Sequence, residues 1–116
     1  MSRREALRLR DIREAIATIR GHIAVGSFDR KTTDAVLYNL VVIGEAAVQI
    51  SDDTRALAPE IPWTKIVGLR NLIAHEYFRI DLDVIRAIVE EQLDQLDRTA
   101  ERLVEDDEAS PTSTSR

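Results

Sequence analysis

The stretch KTTDAVLYNLVVIGEAAVQI, residues 31–50, constrains the fold more than any other part of the chain. On a helix its apolar residues occupy nearly the whole circumference. Most polar exceptions fall on one stripe, Asp34, Tyr38, Glu45 and Gln49. At about 100° per residue these lie within an arc of about 60°, and Asn39 falls outside it. A helix this apolar is buried on most sides. One small domain can hardly cover it, so the helix is expected to face a second subunit too.

The rest of the chain repeats the helical signal. Leu9, Ile12, Ile16, Ile19 and Ile23 place a first helix over residues 5–25, with Gly26 and Ser27 at its end. Ser27 or Asp29 is the expected cap of the second. Residues 51–61 read as a linker holding at most a short turn. A third helix is expected over 62–78, with Pro62 in its first turn. Asp81 is the expected cap of a fourth over 82–104, carrying Leu82, Ile85, Val89, Leu93, Leu96, Ala100 and Leu103. No segment shows strand periodicity. The expectation is an all-α, up-and-down four-helix bundle in residues 1–104. Residues 105–116, charged and then Ser/Thr/Pro-rich, read as a disordered tail.

Composition narrows the chemistry. The absence of cysteine excludes disulfides, thiolate nucleophiles and cysteine zinc sites, and agrees with a cytoplasmic protein. No apolar run approaches the roughly 20 residues of a membrane span, and no apolar segment follows the basic N-terminus as in a secretory signal. The net charge of −5 argues mildly against a broad nucleic-acid-binding surface. That total hides an asymmetry. Residues 1–30 hold seven arginines against four acids, and residues 81–108 hold eleven acids against three arginines. A local basic patch in a cleft or dimer stays open.

Residues 70–78, RNLIAHEYF, gather polar groups at the end of the third helix. On a helical wheel Ile66, Leu69, Ile73 and Tyr77 form the apolar face, with Arg70 at its edge. Asn71 and His75, an i, i+4 pair, point away. His75 is therefore not a core histidine. It is either an exposed surface residue or a functional one. Histidine takes or gives a proton near neutral pH, and arginine stabilises growing negative charge on phosphate. Together they suffice to cleave RNA without a metal or cofactor, because the 2′-hydroxyl supplies the nucleophile. Asn71 would orient His75 or hold a phosphate oxygen. Arg70 and His75 differ by about 140° on one helix. Their tips converge only if the arginine bends round or if two helices meet, as in a symmetric dimer.

At LRNLIAHEYFRID the chain resembles the HEPN superfamily and, within it, the HepT-like ribonuclease toxins. The pattern is arginine, a polar residue, a spacer, histidine and then x-Tyr, met by Arg70, Asn71, His75 and Tyr77. VVIGEAAVQIS and IPWTKIVGLRN resemble that family's second helix and third-helix opening, and the likeness covers about residues 5–104. The resemblance implies a small helical homodimer cleaving RNA without a metal at a cleft between subunits. Arg70 and His75 would be catalytic and Asn71 supportive. It also implies an MntA-like nucleotidyltransferase antitoxin that silences the nuclease by transferring AMP to Tyr77. The competing reading is a HEPN dimer of weak activity that serves as a binding partner of such a nucleotidyltransferase.

Other residues carry two readings each. Tyr77 either packs or is modified. Glu45 either pairs with an arginine such as Arg70 or, as the slightly favoured alternative, belongs to a plain solvent stripe with Asp34 and Gln49. Arg79 follows the motif and could bind phosphate. Trp63 reads as core and His22 as surface. Arg3, Arg4, Arg8, Arg10 and Arg13 read as a solvated face rather than an RNA contact.

Overall fold

The structure, a computed structural model, describes residues 1–25 and 28–109. Helices follow one another as α1 (Arg3–Ala24), α2 (Arg30–Val48), α3 (Asp52–Ala56), α4 (Trp63–Glu76), α5 (Leu82–Glu91) and α6 (Leu93–Ala109). Residues Tyr77–Arg79 form one 3-10 turn. Among the described residues there is no strand. The fold is an all-α helical bundle, as the apolar spacing predicts.

The caps explain where the helices start. The Ser2 hydroxyl accepts from the Glu5 N–H at 3.1 Å, and Glu5 accepts from the Ser2 N–H at 3.2 Å, closing a capping box on α1. Asp29 caps α2 by accepting from the Thr32 N–H at 2.8 Å. Ser27, the other candidate, lies outside the described residues, as do Gly26 and residues 110–116 of the predicted tail. Asp81 caps α5 through the Asp83 N–H at 2.9 Å. Pro62 lends α4 only its carbonyl, which accepts from the Ile66 N–H at 3.1 Å.

Three elements differ from expectation. The linker holds the short helix α3, capped by Ser51. The predicted third helix ends at Glu76, where the chain tightens into the 3-10 turn. The predicted fourth helix is two, α5 and α6, meeting at Gln92. Hydrogen bonds continue across the junction, from the Gln92 N–H to the Ile88 carbonyl at 2.9 Å and from the Leu96 N–H to the Gln92 carbonyl at 3.3 Å. The break is thus a bend, and α6 runs on to Ala109, past the predicted end at 104. α5 buries only Ile85, whereas α6 buries Leu93, Leu96, Thr99, Ala100, Leu103 and Val104.

The core joins α1, α2 and α6. Leu9, Ile12, Ile16 and Ile19 of α1 are fully buried against Val36, Leu37, Leu40 and Ile43 of α2. Each such side chain contributes about 1.5–3 kcal/mol. Trp63 is core, its indole N–H donating to the Ala58 carbonyl at 3.1 Å. Outside the core, arginines of α1 meet acids of α6: Arg13 with Asp97 at 3.0 Å and Arg20 with Asp94 at 3.3 Å. Pairs this exposed contribute about 0–1 kcal/mol each, so they set register rather than hold the fold. They also explain the charge asymmetry, since much of the basic N-terminal charge lies against the acidic C-terminal helix.

Two local features are indispensable. A Cβ at Gly44 of α2 would overlap Arg70 Cβ and stand 2.9 Å from Arg70 Cγ, so α2 and α4 approach this closely only over glycine. Glu5, meanwhile, ties α1 to α3 by accepting from the Ser51 N–H at 2.8 Å. Burial pushes its carboxyl pKa up, but hydrogen bonds from Ser51, Ser2 and Thr54 outweigh it and lower the value from 4.5 to about 2.

Gly44→Ala should therefore destabilise the protein by about 1–3 kcal/mol in denaturant unfolding. Gly68→Ala in α4, where a Cβ meets nothing within 4 Å, should be neutral or gain up to about 1 kcal/mol. Equal effects at the two positions would contradict the close approach. For Glu5 the folded-state pKa is depressed, so its stabilisation is present above about pH 4.5 and lost as pH falls toward 2. Unfolding free energy should fall across that window by at most about 3 kcal/mol on this account, and Glu5→Gln should flatten the decline.

Candidate active site

The site is built where α4 crosses α2. At Gly44 the α4 backbone comes down onto α2, which brings the next residue, Glu45, against Arg70. Arg70 Nε donates to Glu45 Oε1 at 2.6 Å, and Arg70 Nη1 donates to Asn71 Oδ1 at 3.0 Å. Arginine has five N–H donors, so three remain for a ligand. The pair is partly solvated, with the Arg70 side chain 30% and the Glu45 side chain 55% exposed.

The wheel places the rest correctly. Ile73 is buried, Ile66 and Leu69 are half-buried, and Asn71 and His75 are exposed. Arg70 reaches Asn71, the residue one turn before His75, and among the described residues no hydrogen bond joins it to His75 itself. Among the described residues no hydrogen bond or ion pair engages the His75 imidazole, which faces solvent. Arg79 is largely exposed and loosely paired with Glu76 at 3.8 Å. His22 is exposed on α1, apart from this cluster.

The polar stripe of α2 is not a plain solvent face. Glu45 reaches Arg70, and Asp34 accepts a hydrogen bond from the Tyr77 hydroxyl. Tyr77, predicted on the helix near its apolar face, opens the 3-10 turn instead and is 39% exposed. The hydrogen bond to Asp34 holds the phenol pKa above its usual range. Burial and the Asp34 charge act the same way, and Arg30 opposes them. The two clamps, Glu45 to Arg70 and Asp34 to Tyr77, show that α2 and α4 run antiparallel. Gly44, Asp34 and the bond between Arg70 and Asn71 were not foreseen from sequence. The stripe spacing that singles out Asp34 and Glu45 together was the available signal.

A groove of about 520 Å³ lies elsewhere. It is lined by Leu40, Ile43, Ile66, Leu69, Val84 and Ile88 among others, and includes none of Arg70, Asn71 and His75. The groove is mostly apolar, with Glu60 and Lys65 its charged lining residues, and it holds no histidine. Among the described residues no cluster of three or more His, Asp or Glu side chains could hold a metal ion. No helix among them is long and apolar enough to cross a membrane.

Comparison with known proteins places this arrangement. Residues 8–103 match the family model described as ribonuclease HepT-like. A protein of Thermococcus cleftensis named "Probable ribonuclease HepT" is 38% identical over 100 residues, covering 82% of this chain and 91% of the relative. Two proteins of Methanocaldococcus jannaschii, each named "Putative RNase", are 40% and 34% identical. Those matches cover 58% and 67% of this chain, and 62% and 64% of the relatives. No solved structure shows a significant match. With its family model spanning nearly all of the helical bundle, the chain belongs to the ribonuclease HepT-like family.

Proposed function

We propose that the protein is an endoribonuclease that cleaves RNA by attack of the 2′-hydroxyl, with His75 and Arg70 as catalytic residues. The observation that carries this reading is the Arg70 guanidinium held by Glu45 and Asn71, with an exposed His75 one turn beyond Asn71 on the same helix, in a chain of this family. The His75 imidazole takes the 2′-hydroxyl proton. The freed oxygen attacks the adjacent phosphorus, the bond to the 5′-oxygen breaks, and that oxygen leaves with a proton. The products are a 2′,3′-cyclic phosphate and a 5′-hydroxyl. Arg70 stabilises the charge that grows on the phosphoryl oxygens, Asn71 supports it, and Glu45 fixes its direction. No step requires a metal ion.

Dimerisation belongs to the same proposal. A single imidazole must take one proton and deliver another, whereas two copies of α4 in one cleft supply two imidazoles. Both α2 and α4 keep exposed apolar side chains for such a partner, with Val48 47% and Leu72 48% exposed.

We further infer that this nuclease is the toxin of a toxin–antitoxin pair, silenced by a nucleotidyltransferase that transfers AMP to Tyr77. The Tyr77 oxygen would attack the α-phosphorus of ATP, pyrophosphate would leave, and Asp34 is in place to accept the hydroxyl proton. The added phosphate would break the bond to Asp34 and put negative charge beside the site.

In EDTA the wild-type protein should cleave RNA, with His75→Ala and Arg70→Ala slower by roughly a hundredfold or more. Equal rates for wild type and His75→Ala would sink the catalytic assignment. Intact-mass measurement after co-expression with an adjacent minimal nucleotidyltransferase should show AMP units on the wild type and none on Tyr77→Phe. An unshifted wild type, or a shifted Tyr77→Phe, would refute the modification site.

A further inference from the structure

The chain has only five aromatic residues, and two of them, Tyr77 and Phe78, follow directly on α4 at the candidate site, with Tyr38 on the α2 stripe that meets it. Phe78 is 91% exposed and Tyr38 is 69% exposed, far more than the buried Trp63. The rings of Tyr77 and Phe78 pack edge to face with centroids 5.3 Å apart. Tyr38 lies on the same stripe of α2 as the two clamps, one turn from Asp34 and two from Glu45. Since Asp34 holds Tyr77 and Glu45 holds Arg70, helical spacing puts Tyr38 on the same side of α2, between the two clamps. One turn before Asp34 is Arg30, which among the described residues makes no ion pair and whose charge is felt at the Tyr77 hydroxyl.

Tyr38 and Phe78 are not among the side chains packed against the core, and leaving large apolar faces in water is unfavourable. Their chemistry suits a particular ligand. Every nucleobase has a π-face, and unpaired bases stack on aromatic rings while the backbone follows positive charge. In a duplex those faces are already stacked.

We propose that Tyr38 and Phe78 form a stacking platform for unpaired nucleobases flanking the phosphate on which Arg70 and His75 act, with Arg30 neutralising a neighbouring phosphate. The inference rests on the ribonuclease reading and adds the side chains that would hold the bases on either side of the scissile phosphate. A partner protein surface is the competing use of these rings. Continuity with the Arg70–His75 site and the unpaired Arg30 favour RNA.

The test uses His75→Ala protein, so that RNA stays intact, with a fluorescent single-stranded oligoribonucleotide and its duplex as probes. Adding Tyr38→Ala or Phe78→Ala should weaken single-strand binding about tenfold each and leave duplex binding unchanged. Tyr38→Phe, which keeps the ring, should retain the affinity. Arg30→Gln should lower the slope of log affinity against log salt by about one. In otherwise wild-type protein the alanine variants should raise KM more than they lower kcat. Single-strand affinity undiminished by both alanine changes would overturn the platform, leaving the cleavage reading intact if wild type still cuts RNA. A fall in mass by light scattering in Tyr38→Ala or Phe78→Ala would also overturn it, assigning the rings to an interface between copies. Failure of His75→Ala protein to bind any RNA would overturn both readings.

Discussion

The close approach of α4 to Gly44 is the constraint on which the rest of the site depends. A side chain there would collide with Arg70 at its Cβ. Without one, the two helices meet and Glu45, the next residue, falls within 2.6 Å of the Arg70 guanidinium. The crossing also brings the other end of the stripe to the end of α4, where Asp34 takes the Tyr77 hydroxyl. The glycine thus lets the Arg70 segment of α4 sit directly on α2.

The energetics separate what folds the protein from what shapes the site. Buried Ile and Leu side chains of α1, α2 and α6 supply most of the stability. The Glu45–Arg70 pair is too exposed to add much, and its consequence is direction. The charges divide in the same way. Arginines of α1 lie against acids of α6, so they are not a free basic surface. The cations around the end of α4, Arg30, Arg70 and Arg79, stand apart from that ladder. Arg70 and Arg79 have acids of their own in Glu45 and Glu76, so the site differs from the ladder in position rather than in net charge.

Much of this was legible in the sequence because helical periodicity is a local property. Spacing alone gave the main helices, and the wheel separated buried Ile73 from exposed Asn71 and His75. Asp29 and Asp81 were readable as caps for the same reason. What periodicity omits is which helix a face meets. Gly44, Gly21 and Gly68 are alike in sequence, all helical, yet only Gly44 has a neighbour that forbids a side chain. Asp34 and Tyr77 are 43 residues apart, and no local rule pairs them. Glu5 is an intermediate case. Its capping box with Ser2 follows a recognisable S-x-x-E spacing, but its bond to Ser51 needs the folded chain. The bend at Gln92 leaves no mark on the apolar spacing, because hydrogen bonds run on through it.

The account makes the substrate supply the nucleophile, while the protein supplies the proton acceptor at His75 and the fixed charge at Arg70. That claim is tested most directly in the RNA itself. The cleavage site of a defined oligoribonucleotide would be mapped in EDTA, and the nucleotide on its 5′ side replaced by its 2′-deoxy counterpart. The account predicts that cleavage at that position disappears, while unmodified RNA yields a 2′,3′-cyclic phosphate. Continued cleavage at the deoxy position would show that water or another nucleophile attacks the phosphorus, and would contradict it.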